Sequence, residues 1–309
     1  MKAADLESTV KFYHDVARAN GSVMSVSEIL GLLPERASEA ELSRMIESSP
    51  LLKSKLEIKS GYVVEKAGEE ELGSSLKENA KSRMVASSNM RTAAAFFNLM
   101  RSNPFKMVSV GGSTSYNSAS RSKDVDFFCV APRDELWLSL THGLIMARAF
   151  ALLHRQAPQI CFSCVMDEAF AQSLFHSPRG PLFARDALEL KVFRGSTLYE
   201  SLLQRASWIS KLYPSRFPVA SRRRASPQQI EVRTSASRRV LNRFLFLTVG
   251  GFIRLKSSLY NRRFVSLGQK ENEFTVRSGE DHLIYESNRY QRLREKYDEA
   301  FSREARSQG

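Results

Sequence analysis

The sequence has few cysteines, few tryptophans and a shortage of acidic residues. Its 309 residues include three cysteines and two tryptophans, and 33 acidic side chains stand against 46 basic ones, for a net charge of +13. Three cysteines cannot form a closed disulfide framework, which fits a reducing compartment. Long apolar runs are also scarce. The strongest, Phe244–Ile253, is well short of the roughly 20 residues of a membrane span and is expected to be a buried helix.

The N-terminal residues lack the hydrophobic core of a signal peptide, so we expect a cytoplasmic protein with no membrane partner. A composition of 42% hydrophobic and 26% charged residues is typical of a chain that builds cores, which excludes wholesale disorder. The positive charge is uneven. Residues 1–100 have 13 basic and 14 acidic side chains, residues 101–200 have 11 and 9, and residues 201–309 have 22 and 10.

The first 66 residues have the pattern of a compact helical unit. Apolar residues at helical spacing predict three helices, the third opened by the capping box Ser38-Glu-Ala-Glu41. Two short apolar segments, Leu56–Ile58 and Gly61–Val64, then predict a hairpin. This order is that of a winged helix-turn-helix. Because the unit is near neutral, the pattern favours the winged-helix shape more than DNA binding by it.

Residues 67–101 are predicted to be a helical connector, and residues 102–215 an α/β (α+β) core with a mixed sheet. The core is predicted from strands Phe105–Val110, Val125–Val130 and Ile160–Met166 and from the apolar helix Leu136–His154. Residues 216–309 are predicted to be a basic helical region.

Two helices are predicted in that last region, Ala236–Tyr260 and Asp281–Arg303. In the first helix, the apolar side chains are expected to form a buried stripe flanked by arginines. The stripe consists of Val240, Leu241, Phe244, Leu247 and Leu255. The cations beside it make a nucleic-acid partner of the basic C-terminal region a hypothesis, with a solvated basic face as the alternative.

The stretch from Met107 to Val130 has the most chemical content. A strand ends in Gly111-Gly112-Ser113, where glycines allow a sharp turn and let a phosphate approach main-chain N–H groups. A helix that begins there would add its positive N-terminal end. Asp124 and Asp126 follow at i and i+2 on a strand, so both carboxylates project from one face. Such a pair suits Mg²⁺, which completes its shell with phosphate and water.

A Gly-Gly-Ser turn, a spacer of ten residues and then Asp-x-Asp between apolar strands resembles the signature of the polymerase-β-type nucleotidyltransferase superfamily. More loosely, the chain is similar to predicted nucleotidyltransferases with a helical unit before the motif. The resemblance implies transfer of a nucleoside monophosphate from a nucleoside triphosphate (NTP) to an acceptor hydroxyl, with Mg²⁺ or Mn²⁺ as cofactor. Asp124 and Asp126 would hold the metal, Gly112 and Ser113 the triphosphate, and Gly111 would shape the turn.

Two basic residues of the spacer, Arg121 and Lys123, are further candidates for nucleotide binding because they would neutralise triphosphate charge. Helix residues Arg185, Asp186 and Glu189 are instead expected to form a solvated or salt-bridged face.

The chain departs from the family pattern at the third carboxylate, which in active members lies on the next strand and acts as general base. The expected positions here are Cys161 and Ser163, so Asp167, just beyond the strand, is the candidate substitute. Two alternatives follow. One is a catalytically inactive nucleotide-binding regulator on the same fold, and the other is a nucleic-acid-binding protein that uses the winged helix and the basic tail. Cys161 and Cys164 form a C-x-x-C, which is typical of a redox pair or half a zinc site, but strand geometry points them apart and no second C-x-x-C or histidine pair completes four ligands. Cys129, on the neighbouring strand, is expected to be a small core residue.

Overall fold

The computed structural model describes residues 3–19, 22–66, 69–119, 124–217, 235–269 and 272–306. They form an α+β structure with a mixed six-stranded sheet and a small three-stranded antiparallel sheet. The α+β class and the mixed sheet are therefore confirmed. A nucleotidyltransferase core, a winged helix and the domain boundaries stay predictions.

The N-terminal unit contains the helices and the hairpin that its sequence predicts. Ser38 and Glu41 form the expected capping box, in which the Glu41 carboxylate accepts from the Ser38 backbone N–H at 2.7 Å. The small sheet has the order β1-β3-β2. The elements are α1 (Ala3–Ala19), β1 (Met24–Ser25), α2 (Val26–Leu32), α3 (Glu39–Ser48), α4 (Pro50–Lys53), β2 (Leu56–Lys59) and β3 (Tyr62–Glu65).

The connector is one long helix, α5 (Glu69–Leu99), as predicted. The main sheet follows with the order β7-β4-β5-β6-β9-β8, in which β5 and β6 are parallel and the other neighbours antiparallel. Its first four strands are β4 (Met107–Val110), β5 (Asp124–Ala131), β6 (Gln159–Asp167) and β7 (Lys191–Arg194). The helices between and after them are α6 (Gly112–Ser115), α7 (Leu136–Leu153), α8 (Glu168–His176), α9 (Pro181–Glu189), α10 (Ser196–Arg205) and α11 (Ile209–Leu212).

Two hydrophobic clusters cover the two faces of the main sheet. Phe128 and Val130 of β5 belong to the cluster that includes the N-terminal unit and α8 to α11. Phe127 and Cys129 belong to the cluster on the other face, which includes α5 and α7. Since side chains alternate along a strand, Asp126 lies on the same face as Phe128.

The C-terminal region is less helical than predicted, because it completes the main sheet. Residues 282–287 form a strand instead of the start of the predicted helix Asp281–Arg303, and this strand pairs with β6 on one side and β8 on the other. Pairing on both sides and burial of Leu283 outweigh local helix propensity. The elements are α12 (Ala236–Leu245), a π-helical turn (Phe246–Gly250), α13 (Gly251–Ser266), β8 (Phe274–Ser278), β9 (His282–Ser287) and α14 (Asn288–Arg306).

The predicted buried stripe of the long helix is wrong. Phe244 and Leu255 are 59% and 61% exposed, and Val240, Leu241 and Leu247 are exposed as well. The side of the helix that packs on the sheet contains a different set of apolar residues, namely Leu245, Phe246, Val249 and Ile253. The helix is apolar on two sides, so periodicity alone could not select the buried one.

Helix α7 is the one helix, among the described residues, that is long and apolar enough to cross a membrane. This apolar helix is longer than Phe244–Ile253, the segment that the sequence pattern indicates as the strongest apolar run of the chain. Its Trp137, Leu140 and Phe150 side chains are buried in the core. Ile145, Leu152 and Leu153 of the same helix are exposed. Length and composition alone are weak evidence for a span.

Candidate functional site

Asp124 and Asp126 lie at the start of β5, and their side chains project from the same face of the main sheet. In the parallel register with β6, Asp124 is opposite Gln159 and Asp126 is opposite Cys161. Both aspartates are half-buried. They therefore form a carboxylate pair at the end of a strand, still in reach of solvent.

The Gly-Gly-Ser turn packs directly against this pair. The backbone N–H of Gly111 donates to the backbone carbonyl of Asp126 at 2.9 Å. Gly112 has a φ of 61°, in the left-handed region, and a Cβ at this position would lie 2.5 Å from Asp126 Oδ2. The fold thus brings Gly112 and Asp126 into contact across a spacer of more than ten residues, at a place where only glycine fits.

The helix that follows the turn is shorter than the sequence argument needs. It covers only Gly112–Ser115, so it adds a small dipole and few backbone donors. Ser113 is half-buried, and its carbonyl accepts from the Ser118 N–H at 2.9 Å. The Asn89 side chain of α5 donates to the Thr114 hydroxyl at 3.3 Å. Side-chain and backbone bonds, more than a helix dipole, hold the turn in place.

Burial and the neighbouring charge of Asp124 raise the pKa of Asp126 from 3.8 to about 6, and hydrogen bonds from Ser163 and Cys161 act in the opposite direction. Repulsion between two carboxylates is relieved when a divalent cation lies between them. The donor chemistry of the pair, two hard oxygen ligands near solvent, thus fits Mg²⁺ or Mn²⁺. It supplies two carboxylates and not three: no cluster of three metal-ligating side chains occurs among the described residues.

The raised pKa predicts a pH dependence of stability. Between about pH 4 and about pH 6 the folded protein holds a proton on Asp126 that the unfolded chain releases. The contribution of this group is therefore fully present below pH 4 and is lost as pH rises through about 6. Without divalent cations, Asp126→Asn should melt at a higher temperature than the unmodified protein above pH 6, and the difference should vanish near pH 4. Thermal melts of both proteins across this range measure it, and a constant difference would contradict the assigned environment.

The structure does not bring Asp167, the candidate third carboxylate, to the pair. Asp167 is opposite Ala131 at the far end of β5, five residues or about 17 Å along the strand from Asp126. Its carboxylate accepts from the backbone N–H groups of Phe170 at 2.9 Å and Asp134 at 3.2 Å. Asp167 caps α8 at its N-terminus, which is a structural role.

Cys161 and Ser163 occupy the place beside the pair where the family pattern has its acid. Both side chains hydrogen-bond to Asp126, and the Ser163 hydroxyl also lies 3.4 Å from the Phe127 carbonyl. Burial raises the pKa of the Cys161 thiol, and that of Cys164 to about 12. Raised thiol pKa values disfavour the reactive thiolate.

The structure differs in part from the solvated or salt-bridged face that is predicted on α9. Arg185 and Asp186 lie in a largely buried polar cluster instead of facing solvent. Arg185 donates to the Tyr297 hydroxyl and lies 4.6 Å from the Tyr116 ring centroid. Asp186 accepts from the hydroxyls of Tyr116 and Tyr290. Because Tyr116 follows the Gly-Gly-Ser turn, the cluster fixes the end of that turn. The hydrogen-bonded partners in the cluster are 70 or more residues apart in the sequence, so no local sequence pattern predicts the cluster.

Glu189 does form the expected ion pairs, with Lys191 at 3.5 Å and with Arg216. The two candidate phosphate ligands of the spacer, Arg121 and Lys123, lie outside the described residues.

Comparisons with known proteins add no family assignment. No family model matches the chain, and neither a curated protein nor a solved structure matches it. The likeness to nucleotidyltransferases therefore depends on the motif and its geometry.

Gly112→Ala tests that geometry. The left-handed backbone and the contact with Asp126 should together displace the carboxylate, lower the free energy of unfolding by about 1–3 kcal/mol and weaken Mg²⁺ binding. Gly61→Ala is the matched control, because Gly61 has a φ of 77° with nothing within 4 Å of a Cβ. Denaturant unfolding and Mg²⁺-induced thermal shifts compare the two. Equal effects of both variants on Mg²⁺ binding would contradict a role for the Gly112–Asp126 contact.

Proposed function

We propose that the protein is a metal-dependent nucleotidyltransferase, which transfers a nucleoside monophosphate from an NTP to an acceptor hydroxyl and releases pyrophosphate. The single observation that supports this most is the contact between Gly112 and Asp126. It joins a turn suited to phosphate with a carboxylate pair suited to a divalent cation. The proposal includes a cytoplasmic location, where nucleoside triphosphates are abundant.

In this proposal each part of the site has one task. The backbone N–H groups of Gly112 and Ser113 bind the triphosphate, and Gly111 forms the turn. Asp124 and Asp126 hold Mg²⁺ or Mn²⁺, which when bound neutralises phosphate charge and polarises the reacting phosphorus. Arg121 and Lys123 are assigned to the triphosphate by sequence position alone.

The reaction itself is an in-line displacement. A bond forms between the acceptor oxygen and the α-phosphorus, the bond from that phosphorus to the bridging oxygen breaks, and pyrophosphate leaves with the electron pair. The acceptor proton must pass to solvent or to pyrophosphate, since Ser163 and Cys161 stand where a general base is expected. Absence of a general base typically slows such a step about 10²–10⁴-fold, so we expect slow turnover.

The same observation favours a second candidate, a nucleotide-binding regulator that does not catalyse transfer. The regulator would use the same turn and carboxylate pair. Because it does not catalyse transfer, it needs no general base, which agrees with a hydroxyl and a thiol in place of the third carboxylate. It predicts NTP binding by calorimetry without pyrophosphate release.

A nucleic-acid-binding protein that uses the N-terminal unit and the basic tail is the third hypothesis. Part of the basic tail is already neutralised, because Arg238, Arg239 and Arg243 form ion pairs with Glu135, Asp134 and Glu280. This hypothesis predicts binding to RNA or DNA that falls steeply with salt and survives loss of both aspartates.

The experiment incubates the full chain with each α-labelled NTP and Mg²⁺ or Mn²⁺, and follows label in RNA, DNA, protein and small-molecule acceptors. The proposal expects metal-dependent incorporation with release of pyrophosphate. No incorporation into any acceptor, with NTP binding intact, would establish the regulator. Nucleic-acid binding without NTP binding would establish the third hypothesis.

A further inference from the structure

The long helix from Ala236 to Ser266 exposes a row of large apolar side chains on the side turned away from the sheet. Phe244, Phe252 and Leu255 are 59%, 63% and 61% exposed. Leu241 and Leu259 are exposed as well. Leu245, Phe246, Val249 and Ile253 of the same helix pack on the sheet instead, so the exposed apolar side chains lie on the opposite side of the helix. The exposed set, which we call the outer face, consists of Val240, Leu241, Phe244, Leu247, Phe252, Leu255 and Leu259.

The exposure is not that of a detached helix, because the opposite side is firmly held. The Asn242 side chain accepts from the backbone N–H of Trp137 at 2.7 Å and so caps α7. The Phe246 and Trp137 rings lie 5.4 Å apart. Asn261 exchanges two hydrogen bonds with the backbone of Phe274 in β8. The outer face is thus a fixed surface of the folded protein.

The helix of the outer face also has exposed cations, and no acid lies among residues 235–269. The exposed basic side chains include Arg243, Arg254, Lys256 and Arg263. Of these, Arg254 lies towards the sheet, because its guanidinium is 5.0 Å from the Phe246 ring centroid and donates to the Ser278 hydroxyl at 3.2 Å. Arg243 has an acidic neighbour, Glu280 at 3.5 Å. Within the described part of the chain, Arg254, Lys256 and Arg263 form no ion pair with an acidic side chain.

From this combination we propose that the outer face binds the surface of a lipid bilayer that contains anionic headgroups. The apolar row enters the boundary between headgroups and acyl chains, and exposed cations of the same helix, such as Lys256 and Arg263, contact phosphate. A second copy of the chain is the less suitable occupant, because cations without acids would then face one another across the interface. Nucleic acid is less suitable as well, since it offers nothing to exposed leucines. This inference replaces the expectation of no membrane partner and does not depend on the transferase proposal.

The test is sedimentation of the full-length protein with vesicles of phosphatidylcholine, with and without phosphatidylglycerol, at low and high salt. We expect binding to the vesicles that contain phosphatidylglycerol and weaker binding at high salt. Phe244→Ser and Leu255→Ser should each weaken it about tenfold or more, because each removes a buried apolar contact with lipid. Lys256→Gln and Arg263→Gln should each weaken it about fivefold.

Met84→Ser is the matched control. Met84 is 73% exposed but lies on α5, outside the outer face, so its loss should leave vesicle binding unchanged. All five substitutions are at exposed positions, and equal melting temperatures verify that each variant folds. Three results would overturn the proposal. These are absence of vesicle binding, equal loss with Met84→Ser, and a dimer or a nucleic-acid complex that Phe244→Ser abolishes while vesicles remain unbound.

Discussion

Asp124→Asn and Asp126→Asn should each lower nucleotide transfer by at least about a hundredfold. Each change keeps the shape of the side chain but removes one of the two negative charges that hold the divalent cation, and metal stabilisation of the transferred phosphoryl group is a large part of catalysis in such reactions. The loss should be partly recovered by Mn²⁺, which accepts nitrogen and neutral oxygen ligands more readily than Mg²⁺. Initial rates of pyrophosphate release at saturating metal measure the effect.

The control for this prediction is Asp15→Asn. Asp15 is an exposed aspartate of α1 that pairs with Lys11, so its replacement changes net charge equally without touching the site. A rate that falls as much with Asp15→Asn, or that is unchanged in both site variants, would contradict the assignment of the pair.

Ser163→Asp should raise the transfer rate by about 10²–10⁴-fold, the usual contribution of a general base. Ser163 already hydrogen-bonds to Asp126, so a carboxylate there would lie beside the pair and near the attacking hydroxyl. Without metal the variant should be less stable than the unmodified protein, because a third negative charge joins two that already repel. With Mg²⁺ that difference should shrink or reverse.

Ser163→Asn separates charge from size in this experiment, since it has the same shape as the aspartate. If the rate increases with Ser163→Asp and not with Ser163→Asn, the site is an active site that lacks only its general base. No increase with either variant, while NTP still binds, would favour the regulator.

Sequence patterns predicted the parts of the fold whose signals are local. The capping box at Ser38, the strand with Asp124 and Asp126, and the apolar helix α7 all follow from neighbouring residues. The spacing of the two aspartates, at i and i+2 on a strand, was enough to predict that both carboxylates project from one face. The contact of Gly112 with Asp126, however, needed the antiparallel pairing of β4 with β5.

Features that depend on distant partners could not be predicted in the same way. The sequence of β9 predicts the start of a helix, but the segment forms a strand because it pairs with β6 and β8. Asp167 is close to Cys161 in sequence, but both lie on one strand, which rises about 3.3 Å per residue. Residues a few positions apart on a strand are therefore far apart in space. Arg185 and Asp186 find their tyrosine partners far along the chain. The outer face was missed because both sides of its helix are apolar.

The most direct measurement of the central claim is a crystal structure of the protein with Mn²⁺ and a non-hydrolysable NTP analogue, with Mn²⁺ located by its anomalous signal. We expect Mn²⁺ at about 2.1–2.2 Å from carboxylate oxygens of Asp124 and Asp126, with triphosphate oxygens on the backbone N–H groups of Gly112 and Ser113. An analogue bound away from this turn, or bound there with no Mn²⁺ at the aspartate pair, would contradict the account.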